Sequence, residues 1–276
     1  MTPPVALAIW LSSGMVLVFA GVLVGLAAAG SVAASGGKAS EILTDPARSP
    51  LLNSPFWIAA GTLGNELAVG LALVGWWFLL RPERRLALPL ARPTARGVSG
   101  ALLVTFGIAP WAQAAGELVH RLVQNDITAS KIVIAAARGA TSGELVFLLF
   151  CIAVMPALIE EALFRGLITA AFRPSFWLSL LVPSVMFGLF HLEPTQAAGT
   201  ILLGIAFALA RLCTGSLTAA MIAHGVYNAT VVLAVRYSQD VATSEITLPP
   251  LLGGALLAAW GTGLLLRERQ ELAPAL

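Results

Sequence analysis

Charge is the scarcest feature of this chain. Only 11% of its 276 residues are Asp, Glu, Lys or Arg, against roughly 25% in soluble globular domains. So few charges cannot cover a water-facing surface, which excludes an ordinary soluble enzyme and a disordered chain. Sixteen basic and fourteen acidic residues leave a net charge of +2, too even for the phosphate-backbone affinity that nucleic-acid binding needs. No nucleic-acid partner is expected. Cysteine is nearly missing as well. Cys151 and Cys213 lie in or beside apolar runs and read as small core residues, not as a disulfide or a thiolate metal site. Internal repeats and low-complexity tracts are lacking.

What the chain has instead is hydrocarbon: 58% of residues are hydrophobic and the mean hydropathy is +0.88. A helical crossing of the bilayer takes roughly 20 apolar residues, and eight runs qualify, at about 5–29, 55–80, 97–116, 145–172, 175–190, 197–212, 217–235 and 248–266. Eight separated stretches of this length are helices, because backbone amides in lipid must be paired within their own segment. The expected fold is an all-α polytopic bundle of about eight transmembrane helices, forming one membrane domain over residues 1–276. The first run has no basic flank and is longer than a signal-peptide core, so it reads as a retained span. Prolines 46, 50 and 55 mark the first loop, and Pro249 with Pro250 mark the start of the last span. The segment from Glu117 to Glu144 reads as a plain connecting loop, although Ile132 to Ala137 has a composition that suits the membrane interface.

Orientation follows from the basic residues of the loops. Arg81, Arg84, Arg85, Arg92 and Arg96 crowd one loop against a single acid, Glu83. With that loop in the cytoplasm both termini are cytoplasmic. Arg165, Arg173, Arg211, Arg267 and Arg269 then fall on the same side, against Lys38, Arg48, Arg121, Lys131, Arg138 and Arg236 on the other, ten to six.

Ionisable side chains within a span cost several kcal/mol and face a protein interior or a cavity. Four places carry them here: Glu66; Glu160 and Glu161 with Arg165; His191; and His224 with Asn228. Neighbouring helical residues point about 100° apart, so Glu160 and Glu161 cannot share a direction. Glu161 and Arg165 form an i,i+4 pair with the acid first, the favourable order, which leaves Glu160 to face something else. His224 and Asn228 share one helix face. Of the three histidines only His120 lies outside the candidate cluster. Depth is the obstacle. Counted inward from Leu145, Glu160 lies roughly 22 Å from one surface, and His191 lies roughly 24 Å from the other. The two meet only if the fourth span is long, and tilted or kinked at Pro156.

A carboxylate, two imidazoles and a carboxamide suit the activation of water at a carbonyl. Glu160 is the candidate general base, His224 and Asn228 are candidate oxyanion donors, and His191 is a candidate for orienting the water or carrying its proton. These residues also carry a resemblance. Glu160-Glu161-xxx-Arg165, Phe187-xxx-His191 and His224-xxx-Asn228 resemble, intact and in order, the EExxxR, FxxxH and HxxxN motifs of the CPBP (CAAX protease and bacteriocin-processing, or Abi) family. Its eukaryotic members include the type II CAAX prenyl endopeptidase. Thr214-Gly215-Ser216-Leu217 is similar to the family's approach to the third motif, and the resemblance covers about 142–235. It implies an intramembrane endopeptidase of the bacterial inner membrane that cuts a membrane-anchored protein or peptide near its anchor; a myxosortase-like branch is one version. By that resemblance Glu160 activates water, His191 positions it, His224 and Asn228 bind the oxyanion, and Glu161 with Arg165 hold the site in shape. Zinc on Glu160, His191 and His224 is the alternative chemistry; without an HExxH, and with Asn228 a poor ligand, the metal-free glutamate route is preferred. Two other readings stand beside the protease: a non-proteolytic immunity or binding protein of the same fold, and a small proton-coupled transporter. The missing repeats weigh against the transporter. Glu66 has no assigned role.

Overall fold

The structure, a computed structural model, describes residues 1–40, 49–123, 128–238 and 247–272. Pro46 and Arg48 lie outside these, as do the side chains of Arg85 and Lys131. Nine helices and one short turn make up the described chain, with no strand among the described residues. The helices are α1 (Pro3–Ala34), α2 (Pro55–Leu80), α3 (Ala95–Val123), α4 (Thr128–Gly139), α5 (Ser142–Ala171), α6 (Phe176–Phe190), α7 (Pro194–Thr214), α8 (Leu217–Tyr237) and α9 (Leu248–Leu272). The protein is an all-α polytopic membrane protein. Seven helices are long and apolar enough to cross a bilayer. The run expected at 175–190 is also a helix, but α6 has only 15 residues, roughly 22 Å at 1.5 Å per residue, against a hydrocarbon core of about 30 Å.

Proline and small polar residues start these helices where the missing N–H does no harm. Pro3, Pro55 and Pro194 open α1, α2 and α7. Thr141 and Glu144 close a reciprocal capping box at the start of α5, satisfying two amides that would otherwise lack partners. The outer helices are apolar all round. In α1 only Ala6, Ile9, Ser13, Ala28 and Val32 are buried, a narrow stripe on a helix otherwise bathed in lipid. Tryptophans fix that stripe: Trp10 Nε1 donates to the Met186 carbonyl at 2.9 Å, and Trp76 Nε1 to Ser12 Oγ at 2.8 Å.

Inside the bundle, packing is set by residues that have almost no side chain. Lipid tails are as apolar as leucine, so helices associate in membranes by close contact, which small residues permit. The tightest contact joins α3 and α9. A Cβ at Gly107 would strike the backbone of Ala258 and the Gly254 carbonyl, and one at Gly261 would lie 2.6 Å from Val104 N. Helix α7 runs through the centre, with Gly199 against Ala112 of α3 and Gly204 against Ser184 of α6. Gly215 ends α7 in the left-handed region (φ 65), a conformation glycine adopts without strain. The chain then enters α8, where Leu217 N donates to the Pro89 carbonyl at 2.9 Å and Ser216 Oγ to that of Ala91.

The segment expected as a plain loop before α5 is corrected by the structure, which places α4 there. Ala136, Ala137 and Ala140 pack into one cluster with Ile58 and Ala59 of α2, Leu148 of α5 and Val232 of α8. That burial supplies the stability a twelve-residue helix lacks by itself, and nothing local in the sequence announces it.

Gly107→Leu and Gly254→Leu should each lower stability by about 1–3 kcal/mol through overpacking, while Gly263→Ala, with open space around it, should not. Thermal unfolding of the purified variants in detergent checks this.

Candidate active site

Helix α5 positions the acids. It is continuous over 30 residues, as the depth argument requires, but it is not a uniform α-helix. Its bonding widens to i→i+5 over Phe150–Val154 and again over Ala162–Ile168, leaving one α-helical stretch, Met155–Glu161, between the wide turns. Pro156 accounts for the first widening. A proline in a helix gives no N–H to the carbonyl four residues back and crowds it. That carbonyl belongs to Ile152, and the carboxamide of Asn228 donates to it at 3.1 Å. Wide turns of this kind are frequent at functional sites.

The second motif half of the acid pair is deeply buried. Arg165 and Glu161 are both fully inaccessible to solvent, and Arg165 Nη1 donates to Glu161 Oε1 at 3.0 Å. Arg165 Nη2 donates to the Gly204 carbonyl at 2.9 Å, and Gly204 is small for a reason: a Cβ there would lie 3.2 Å from that same nitrogen. The guanidinium lies 4.3 Å from the centre of the Phe187 ring, a cation–π contact. The expected Glu161–Arg165 pair is therefore present.

His224 completes it. Its Nδ1 lies 3.0 Å from the same Glu161 Oε1, so the carboxylate fixes the tautomer by accepting from Nδ1–H. The ring stacks on Phe207 of α7 at 4.6 Å and 13°. Its other nitrogen, Nε2, faces Glu160 Oε2 at 3.8 Å. Glu160, turned away from the arginine as the 100° step demands, thus looks at the free edge of His224. His191 sits just past the end of α6, where its Nδ1 bonds the Phe187 carbonyl at 3.0 Å, leaving Nε2 available.

The structure brings Glu160, Glu161, Arg165 and His224 into one buried contact group. His191 adjoins through Phe187, whose ring lies 5.1 Å from that of His191 and 5.8 Å from that of His224. Asn228 lies one turn beyond His224 and is held by Ile152. Glu66 of α2 also reaches this region. It is buried, and its Oε2 has no partner among the described residues. One turn along α2 is Gly70, where a Cβ would lie 3.3 Å from the side chain of Ile159, the residue before Glu160. Sequence had flagged Glu66 as out of place in lipid without giving it a neighbour. Phe207, Gly204 and the Ile152 carbonyl were not singled out at all; only the proline four residues after Ile152 was a signal. As for zinc, among the described residues no three His, Cys, Asp or Glu side chains are disposed to hold a metal ion, so no step is routed through one.

Because Arg165 and Glu161 are buried together, Arg165→Met should cost about 3–5 kcal/mol by leaving an unpaired charge. The double variant Glu161→Gln/Arg165→Met should recover part of that loss. Chemical unfolding of both proteins checks the order.

No curated protein and no solved structure matches the chain. Residues 142–230, which span the two wide turns, α6, α7 and the histidine face of α8, match the family described as type II CAAX prenyl endopeptidase Rce1-like. These residues are a domain of the Rce1-like (CPBP) family of membrane proteases.

Proposed function

We propose that the protein is an intramembrane endopeptidase that hydrolyses a peptide bond of a membrane-anchored protein or peptide close to its anchor. The observation that carries this reading is the placement of one imidazole between two buried glutamates, bonded to Glu161 and open towards Glu160.

The chemistry follows from the hydrogen-bond roles. Water held between Glu160 and Nε2 of His191 gives a proton to the Glu160 carboxylate as its oxygen attacks the scissile carbonyl. The oxyanion so formed takes hydrogen bonds from His224 Nε2 and from the second N–H of the Asn228 amide, the first being committed to Ile152. Since Nδ1–H of His224 already points at Glu161, Nε2 donates only when the ring is an imidazolium. The Glu161 carboxylate holds the ring from its Nδ1 side, while Arg165 pairs with Glu161. When the C–N bond breaks, the proton on Glu160 passes to the leaving amine nitrogen and the carboxylate is restored. Placement of these groups in a desolvated interior makes each interaction stronger than in water. Glu160, His191, His224 and Asn228 are thus the proposed catalytic groups, and Glu161 and Arg165 position them. The termini are proposed to be cytoplasmic, on the side of the arginine-rich loop.

The test is cleavage of a membrane-tethered peptide by the purified protein in liposomes. Glu160→Gln should fold normally and lose turnover, and Asn228→Ala should lower kcat about 10²–10³-fold, the usual effect of one lost oxyanion donor. Full turnover by folded Glu160→Gln would reject the mechanism. Activity should also survive exhaustive chelation, with elemental analysis checking that no metal remains.

A further inference from the structure

A second cluster of charge lies at the opposite end of α6 from His191, and no step above uses it. Helix α6 and helix α7 are antiparallel neighbours. Gly188 of α6 meets Ala197 and Ile201 of α7, and Ser184 meets Gly204. Seven residues on from Gly204, on the same face of α7, is Arg211; seven residues back from Ser184 is Trp177, in the first turn of α6. The antiparallel register therefore places Arg211 level with the start of α6.

It is a strange place for an unpaired cation. Arg211 is only 5% exposed, its Nε is sealed from solvent with no partner, and among the described residues it has neither a hydrogen bond nor an ion pair. The first amides of α6 also lack intrahelical partners and carry the positive end of the helix dipole. Ser175 Oγ serves one of them, Leu178 N, at 3.3 Å. Two more cations converge here. Arg173 stands in the exposed turn directly before α6, and the Arg269 guanidinium lies 4.3 Å from the centre of the Phe176 ring. The nearest acids of α9 are turned elsewhere: Glu268 accepts from Thr94 Oγ1 and Glu271 pairs with Arg96. Three arginines and a helix N-terminus thus gather at this end of α6, with no carboxylate paired to any of the three arginines among the described residues.

We infer that Arg211, Arg173, Arg269 and the N-terminus of α6 form a binding site for a phosphate group, set apart from the proteolytic centre. Helix N-termini and arginine both favour phosphate, the amides by aligned donors and the guanidinium by its planar fork. Trp177, largely exposed at this turn, suits the headgroup level of a bilayer.

The full-length protein is compared in detergent with added phosphatidylglycerol, with an uncharged glycolipid of the same acyl chains, and with inorganic phosphate, read by thermal stability and by native mass spectrometry. Phosphatidylglycerol should bind and raise the Tm while the glycolipid does not. A matching rise with inorganic phosphate assigns the site to soluble phosphate; no rise with it assigns the site to the lipid headgroup. Arg211→Gln and Arg173→Gln should each weaken binding roughly fivefold. Arg173 is exposed, so its variant keeps the question answerable if Arg211→Gln does not accumulate. Absence of binding to both phosphate probes, or binding unchanged in both variants, overturns the site.

Discussion

One arginine with no access to solvent organises this protein's centre. Removing a guanidinium and a carboxylate from water costs several kcal/mol per ion, and the pair repays it only when the remaining donors and acceptors are served. Arg165 is held from three helices, by Glu161 on its own, the Gly204 carbonyl on α7 and the Phe187 ring on α6, while its Nε and Glu161 Oε2 have no partner among the described residues. Each partner constrains its own helix. Residue 204 must be glycine-sized for α7 to come close enough, and Phe187 must be aromatic at a position that also places His191 one turn on. The phenylalanine of FxxxH is therefore not a spacer. It is the surface on which the arginine of the first motif and the histidines of the other two rest.

The same assembly explains why two consecutive acids do different things. Glu161 is spent on structure, since one of its oxygens takes both the arginine and Nδ1 of His224. Glu160, a residue earlier and about 100° round the helix, is left facing the other edge of that imidazole. The pattern separates a carboxylate held in an ion pair from one left facing an imidazole by a single residue step. The wide turns on either side allow Met155–Glu161 to be set at its own angle to the neighbouring helices.

Much of this was legible in the sequence because membrane physics leaves few options. Long apolar runs mark the helices, and the charged residues inside them stand out against a background with almost none. The i,i+4 spacing of Glu161 with Arg165, and of His224 with Asn228, correctly indicated shared faces. What stayed hidden depends on tertiary contact. Helix α4 exists because alanines fill a gap between α2, α5 and α8. The shortness of α6 was already visible in the run at about 175–190, within one residue of the helix; what the run did not show was that it is shorter than a full crossing needs. The bond from Asn228 to Ile152 joins residues 76 apart in sequence, and Glu66 gains its meaning only from the way α2 lies on α5.

The depth problem shows which frame of reference matters. Measured from opposite membrane surfaces, Glu160 and His191 overshoot one another in a core of about 30 Å. The structure joins α5 and α6 by the four residues 172–175, so both helices are better measured from that common turn. Glu160 then lies roughly 17 Å along one and His191 roughly 24 Å along the other. The direction of the side chains narrows the remaining difference. Every helical Cα–Cβ bond tilts towards the N-terminus, and because the two helices are antiparallel, Glu160 leans away from the turn while His191 leans back towards it. The short hairpin, which hydropathy alone would have drawn as two full crossings, is what brings a residue near the end of one helix level with a residue in the middle of the other.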